Sequence, residues 1–208
     1  KIVDIDLKDV KYFTFKEAEF NNKKIVISRT GYTGEDGFEI IVDPSSTISL
    51  WDLLLTEGED EEYSIAPVGL SARDTLRLEM GYILYGNDLS DSISPIEANI
   101  KWVVKENKGE FLGKKRIVSE IENGVDKKLY GLKMVDKAIP RPRCDVFFEN
   151  TKIGEITSGT ISPFLKIGIA LAYLNPEFAV DNRAVDIEIR GDRKKAVTLK
   201  PPFISRSR

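Results

Sequence analysis

Residues 29–40 read Arg29-Thr30-Gly31-Tyr32-Thr33-Gly34-Glu35-Asp36-Gly37-Phe38-Glu39-Ile40, with three glycines inside seven residues. Glycine is used where φ is positive or where another group comes close to the backbone. Strand-like runs flank the stretch, 24–28 entering and 38–42 leaving. Three glycines between two strands demand a shaped loop rather than a two-residue hairpin turn. Along the exit strand Phe38, Ile40 and Val42 point one way, Glu39 and Ile41 the other. A strand apolar on both faces is covered on both faces. Glu39 is therefore expected to be a partly buried carboxylate that needs a partner. The plain alternative is a structural pair with an internal Arg or Lys.

Composition narrows the chemistry. The chain of 208 residues can hold one large or two small domains. It is 41% hydrophobic and 31% charged, with a net charge of −3 and the signs interspersed, which is a globular pattern without a basic field for nucleic acid. No apolar run approaches the roughly 20 residues of a membrane span. One cysteine, Cys144, cannot form an intrachain disulfide, which points to a reducing, cytoplasmic compartment. Histidine is absent, which removes Ser-His and Cys-His nucleophile schemes and the commonest zinc ligand. Acid–base work must come from carboxylates, Tyr, Lys or the substrate. The chain starts at Lys1 in mid-pattern, which reads as a truncated piece.

Residues 1–28 read as a hairpin: an aromatic run of Tyr12, Phe13, Phe15 and Phe20, a turn at Asn21-Asn22, and a return through Ile25-Val26-Ile27. Pro44-Ser45-Ser46 offers a cap for a helix over 47–55, with Leu50, Trp51, Leu54 and Leu55 buried. The acidic run 57–62 reads as a solvated loop. Over 66–81, Ala72, Leu76 and Met80 share a helical face, while Arg73 and Arg77 stack one turn apart. Like charges at that spacing need anionic partners, and Asp74 and Glu79 are the local candidates. Ser94-Pro95-Ile96-Glu97 is a capping box, so Glu97 needs no catalytic explanation. Ile100, Trp102, Val103 and Val104 would form the buried side of that segment, and 117–121 a short helix.

From Lys128 the period becomes two. Candidate strands cover 129–134, 145–148, 153–157, 167–173, 185–190 and 196–199, with turns at Glu149-Asn150 and Gly191-Asp192. The fold class expected is α+β: an antiparallel sheet with helices, followed by a small antiparallel β-barrel domain, with domains over 1–120 and 121–208.

The loop resembles the signature of the glycine cleavage system T protein, a folate-dependent aminomethyltransferase. Further blocks match in family order: Ala72-Arg73-Asp74-Thr75-Leu76-Arg77-Leu78-Glu79, Leu84-Tyr85-Gly86-Asn87-Asp88, Ser94-Pro95-Ile96-Glu97-Ala98, Phe111-Leu112-Gly113-Lys114, Gly154-Glu155-Ile156-Thr157-Ser158-Gly159-Thr160 and Ile169-Ala170-Leu171-Ala172-Tyr173. The closing Pro201-Pro202-Phe203 fits too. The resemblance covers nearly all of the chain but only roughly the C-terminal half of the family's protein. Departures fall at Pro140-Arg141-Pro142-Arg143-Cys144 and Arg190-Gly191-Asp192-Arg193-Lys194, both in the barrel-like part.

The resemblance implies that the first region is part of a folate-binding domain. It implies transfer of the methylene from aminomethyl-lipoyl H protein to tetrahydrofolate, with release of ammonia. By position, Glu39 matches the pterin-binding Glu, Tyr32 a tyrosine of the same pocket and Arg73 a folate-binding Arg. Arg208 matches a C-terminal folate contact, with Arg206 as second choice. The family's catalytic Asp precedes this chain, so no catalytic residue is expected within it, and the fragment alone is expected to be inactive. Asp36 and Asp88 read as a loop turn former and a segment-end residue. No metal, nucleic acid or membrane is implied; partners are H protein, tetrahydrofolate and the missing N-terminal half. Alternatives are another folate-dependent one-carbon enzyme of the superfamily, a folate-binding module without turnover, or a structural domain in which Glu39 and Arg73 pair with each other.

Overall fold

The first layer of structure is a meander closed by a tight turn. In the computed structural model, which describes residues 2–57 and 64–205, β1 (Phe15–Phe20) and β2 (Lys23–Ser28) pair antiparallel. Asn21 and Asn22 both take left-handed φ, 51° and 59°, as a two-residue primed turn requires. β3 (Glu39–Ile41) returns along β2, with Ser28 opposite Glu39 and Val26 opposite Ile41. Alternation puts Ala18, Phe20, Ile25 and Ile27 into a core with Leu50 of α1 (Pro44–Glu57). Phe38, Ile40 and Val42 pack against that core, as the alternation requires.

Three readings in this region change. The aromatic run does not all enter the sheet: Tyr12 and Phe13 precede β1 and are exposed. α1 begins earlier than expected, because Asp43 rather than a serine caps it, accepting from Ser45 N at 2.9 Å. The face that packs is Ser46, Leu50, Leu53 and Leu54, which turns Trp51 outward to 53% exposure. The acidic run lies outside the described residues except for its first member, Glu57, which ends α1.

The chain divides by its contacts into two units, the second being Asp74–Ser205. α2 (Leu70–Glu79) ends at Gly81, whose φ of 68° lets Tyr82 N donate to Arg77 O and Gly81 N to Leu78 O, both at 2.8 Å. Its buried residues are Arg77, Leu78 and Glu79, whereas Ala72 is exposed and Leu76 and Met80 are half-buried. The capping box forms reciprocally, Ser94 N to Glu97 Oε2 at 2.8 Å and Glu97 N to Ser94 Oγ at 3.1 Å. Only turns and a one-turn 3-10 helix (Lys101–Val103) follow it, and Trp102 and Val103 face solvent rather than a core. α3 (Lys114–Asn123) covers the expected short helix.

Six strands then close a barrel: β4 (Lys128–Met134), β5 (Asp145–Phe148), β6 (Thr151–Ser162), β7 (Ile167–Leu174), β8 (Ala184–Ile189) and β9 (Asp192–Leu199), in the order β4-β7-β6-β5-β8-β9 with β9 back on β4. Every pairing is antiparallel. Leu132, Val146, Ile156, Ala170 and Ile187 fill the interior. β4 and β7 are buried on their outer faces too, where Leu129, Ile169 and Leu171 meet Leu78 and Phe203. That double burial explains why 167–174 reads as an almost unbroken apolar run. The antiparallel sheet with helices and the barrel agree with the α+β class expected.

Polar groups are buried with partners. Arg77, 1% exposed, reaches Asp74 at 2.7 Å, as its spacing suggested, but also Asp88 at 2.8 Å, Ser158 Oγ at 2.8 Å and Tyr82 O at 3.0 Å. Asp88 is therefore no mere segment end. It is equally buried and accepts from Leu84 N, Thr157 and Ser158 as well. Tyr173 OH donates to Asp88 O at 2.8 Å, and burial pushes its phenol well above the ordinary value.

Asp88→Ala leaves a buried guanidinium short of charge and should cost about 3–5 kcal/mol, read as a lowered urea midpoint. Gly154→Ala should cost about 1–3 kcal/mol, because a Cβ there would lie 2.1 Å from Tyr173 O and 3.0 Å from Leu174 Cα. A midpoint equal to the parent's in either variant contradicts the corresponding account.

Candidate functional site

The loop of residues 29–39 is built from its neck outward. Arg29 follows β2 and is held in register by Phe13 N to Arg29 O at 3.1 Å and Arg29 N to Thr14 O at 3.0 Å. Its guanidinium grips Asp36 with two parallel bonds, Nε to Oδ1 at 2.9 Å and Nη2 to Oδ2 at 2.6 Å, and donates to Val10 O at 3.1 Å. The same group lies over Tyr12, 4.5 Å from the ring centroid, and 5.6 Å from that of Phe38. Asp36 is thus more than a turn former, since it locks the far side of the loop to the end of β2.

A second contact closes the neck one step further out. Thr30 donates its hydroxyl to Glu39 Oε2, and Thr30 Oγ1 lies 3.1 Å from Ser28 Oγ. Glu39 itself is exposed, which corrects the expectation of a partly buried carboxylate. β3 is only three residues long, and the face that carries Glu39 and Ile41 is open, Ile41 being 65% exposed. Glu39 forms no ion pair among the described residues, with Arg73 or any other cation, so the paired-structural alternative lacks its partner. Its Oε1 meets no hydrogen-bond donor among those residues.

Tyr32 sits inside the loop so closed. Arg73, in the first turns of α2, places its guanidinium 5.0 Å from the Tyr32 ring centroid. Tyr32 and Arg73 are therefore brought together, and Glu39 stands at the neck of the same loop. Arg206 and Arg208 lie outside the described residues. Glu97 is committed to the capping box and to Arg116 Nη2 at 3.0 Å. Cavities of about 510, 390 and 260 Å³ occur in the second unit, and Tyr32, Glu39 and Arg73 line none of them. Among the described residues no cluster of three or more His, Cys, Asp or Glu is arranged to hold a metal ion, and no helix is long and apolar enough to cross a membrane. Sequence reasoning missed Thr30 and the Arg29–Asp36 clasp. The second had a visible signal, opposite charges at the two ends of one glycine-rich loop.

Arg29's hydrogen bonds pull the Asp36 carboxyl down from the ordinary aspartate value to about 2, and Asp36 raises Arg29 in return. A depressed carboxyl stabilises the loop fully above its unfolded value of about 3.9, and that contribution is lost as the pH falls through about 2. The clasp should hold at pH 4 and open with a midpoint near pH 2. The measurement is the Gly37 amide signal by NMR across that range. Asp36→Asn should abolish the transition, and a midpoint near 4 in the parent would show that the clasp is absent.

Residues 1–108 match the family described as GCVT N-terminal domain, and residues 127–204 match the glycine cleavage T-protein C-terminal barrel domain. An aminomethyltransferase of Bacteroides fragilis is 45% identical over 98% of this chain and 56% of its own. One from Oceanobacillus iheyensis is 46% identical over 100% of this chain and 57% of its own. The crystal structure of glycine cleavage system aminomethyltransferase T from Bartonella henselae superposes with a TM-score of 0.87 at 30% identity, covering 96% of this chain and 54% of that one. The chain thus spans a little over half the length of the relatives it matches. With both of its parts matched in order, the chain belongs to the glycine cleavage T-protein family.

Proposed function

We propose that this chain is part of a folate-dependent aminomethyltransferase. It takes the aminomethyl group carried on the lipoyl arm of H protein, passes the methylene to tetrahydrofolate and releases ammonia in glycine breakdown. The names of the relatives support the activity. The observation that carries the site is Glu39: an exposed carboxylate held at Oε2 by Thr30, on the loop whose Tyr32 receives Arg73.

The residue types suit a folate. A pterin edge offers adjacent N–H donors, and a carboxylate accepts two of them in charge-assisted form. The Arg73 fork matches a glutamyl carboxylate bidentately. Tyr32, beside Arg73, carries an aromatic ring of the kind that packs well on a pterin. Arg208, with Arg206 as second choice, would supply a further contact. In this reading the aspartate that positions the folate for attack comes from the part of the relatives' length that these residues do not span, and that part is a partner of this chain. No metal takes part. The compartment is the cytoplasm, in keeping with one cysteine in 208 residues. A domain boundary at 120/121 is in keeping with the two family matches, 1–108 and 127–204, which flank it, whereas the contacts divide the chain at 73/74.

Calorimetry with tetrahydrofolate on the native gene product carrying these residues tests the site. Glu39→Gln should weaken binding by about 1–3 kcal/mol, the cost of making a charged acceptor neutral. Arg73→Lys should weaken polyglutamylated folate more than folate without the tail, since an ammonium cannot reproduce the fork. Unchanged affinity in Glu39→Gln would remove Glu39 from the site. Equal losses with both folates would move Arg73 away from the tail. Binding without production of methylene-tetrahydrofolate from loaded H protein would make the chain a folate-binding module.

A further inference from the structure

Glu39 is an exposed carboxylate at the start of a three-residue strand, with several rotatable bonds and, among the described residues, one side-chain hydrogen bond to hold it. A group of that kind binds weakly unless something fixes it beforehand. The geometry points to Thr30 as the positioning residue of Glu39, through a directed hydroxyl relay, Ser28 to Thr30 to Glu39, that leaves Oε1 turned toward the ligand. This rests on the reading of Glu39 as the pterin acceptor.

The direction of the relay follows from proton counting. An ionised carboxylate only accepts, so Thr30 must donate in its contact with Glu39 Oε2. A hydroxyl has one proton, and Thr30's is then committed. The 3.1 Å contact between Ser28 and Thr30 can therefore form only with Ser28 as donor. Ser28 has an alternative acceptor in Thr14 O, but at 3.5 Å it is the weaker one.

The base of the relay is rigid. Ser28 ends β2 and faces Glu39 across the β2–β3 ladder, so both ends of the relay are set by one pair of backbone partners. Thr30 is β-branched and stiff at χ1. Its neighbour Arg29 is fixed by Asp36 and Val10 O. Thr30 touches no reacting atom in this arrangement. It acts by spending its proton on Oε2 and so presenting Oε1, with the free lone pairs, to an N–H edge.

A double-mutant cycle on the native gene product tests the relay, with tetrahydrofolate as the probe in calorimetry and melting temperature recorded for each variant. Thr30→Val keeps the shape and removes the hydroxyl, and should weaken binding about tenfold. Thr30→Ser should restore most of that loss, and Thr30→Ala, a second variant without the hydroxyl, should repeat it. In a Glu39→Gln background Thr30→Val should add less than about twofold, because the acceptor it positions is already spoiled. Parent-like binding by Thr30→Val and Thr30→Ala overturns the relay, and so does a loss that adds in full to that of Glu39→Gln. Failure of the folate reading shows itself separately, as Glu39→Gln binding like the parent.

Discussion

One buried ion pair organises the polar interior of the second unit. Arg77 and Asp88 are each 1% exposed, and neither could stay charged there alone, since an unpaired buried charge costs several kcal/mol. The pair recruits neighbours until most donors and acceptors are used: Asp74, Tyr82 O and Ser158 around the guanidinium, Leu84 N, Thr157 and Ser158 around the carboxylate. The recruits tie several elements together, the segment after α2 through Tyr82 and Leu84 and strand β6 through Thr157 and Ser158. Tyr173 of β7 joins through the backbone carbonyl of Asp88. Next to Arg77 in the chain, Leu78 packs against Ile169, Leu171 and Phe203.

The loop of residues 29–39 uses the same chemistry at the surface and to a different end. Arg29 also holds a carboxylate, but that of Asp36 is about half exposed, so its worth lies in geometry more than in stability. Two successive residues, Arg29 and Thr30, each reach across the loop to an acid, Asp36 and Glu39 respectively. The first acid is fully engaged by a fork. The second keeps an oxygen in reserve, which distinguishes a brace from a group that can bind.

Strands were the most legible part of the sequence. The barrel strands were marked by period-two patterning between turn residues; the structure lengthens most of them, β6 by seven residues, and moves β8 one residue earlier, because the left-handed turn falls at Arg190-Gly191 and Asp192 already belongs to β9. Helix faces were less legible, because a turn of apolar residues such as Leu50 to Leu55 supports two neighbouring phases. Only the packing against β1 and β2 decides that Leu53 enters and Trp51 does not. Glu39's exposure could not be read, since alternation says which way a side chain points but not what covers that face. In the candidate site, the residue types and their order in the loop were visible, whereas the Thr30–Glu39 contact was not. A hydroxyl nine positions from a carboxylate gives no signal until the loop brings them together. Asp88 was misjudged for the same reason, as its partners Thr157 and Ser158 lie 69 and 70 residues away.

The last turn of α2 has a consequence for synthesis. Glu79 O accepts from Phe203 N at 2.9 Å, and Phe203 also packs on Leu78. Gly81 is matched to Pro201 so closely that a Cβ would lie 2.3 Å from the proline's own. The helix therefore waits for residues made more than a hundred positions later. At about 5–20 residues per second that delay is roughly 6–25 s, long compared with helix formation or collapse. Leu78 lacks Ile169 and Leu171 until β7 emerges, Arg77 lacks Ser158 until β6 emerges, and Phe203 completes the cover last. Between the appearance of β7 and the arrival of Phe203, the outer apolar face of β4 and β7 is thus only partly covered, by Leu78.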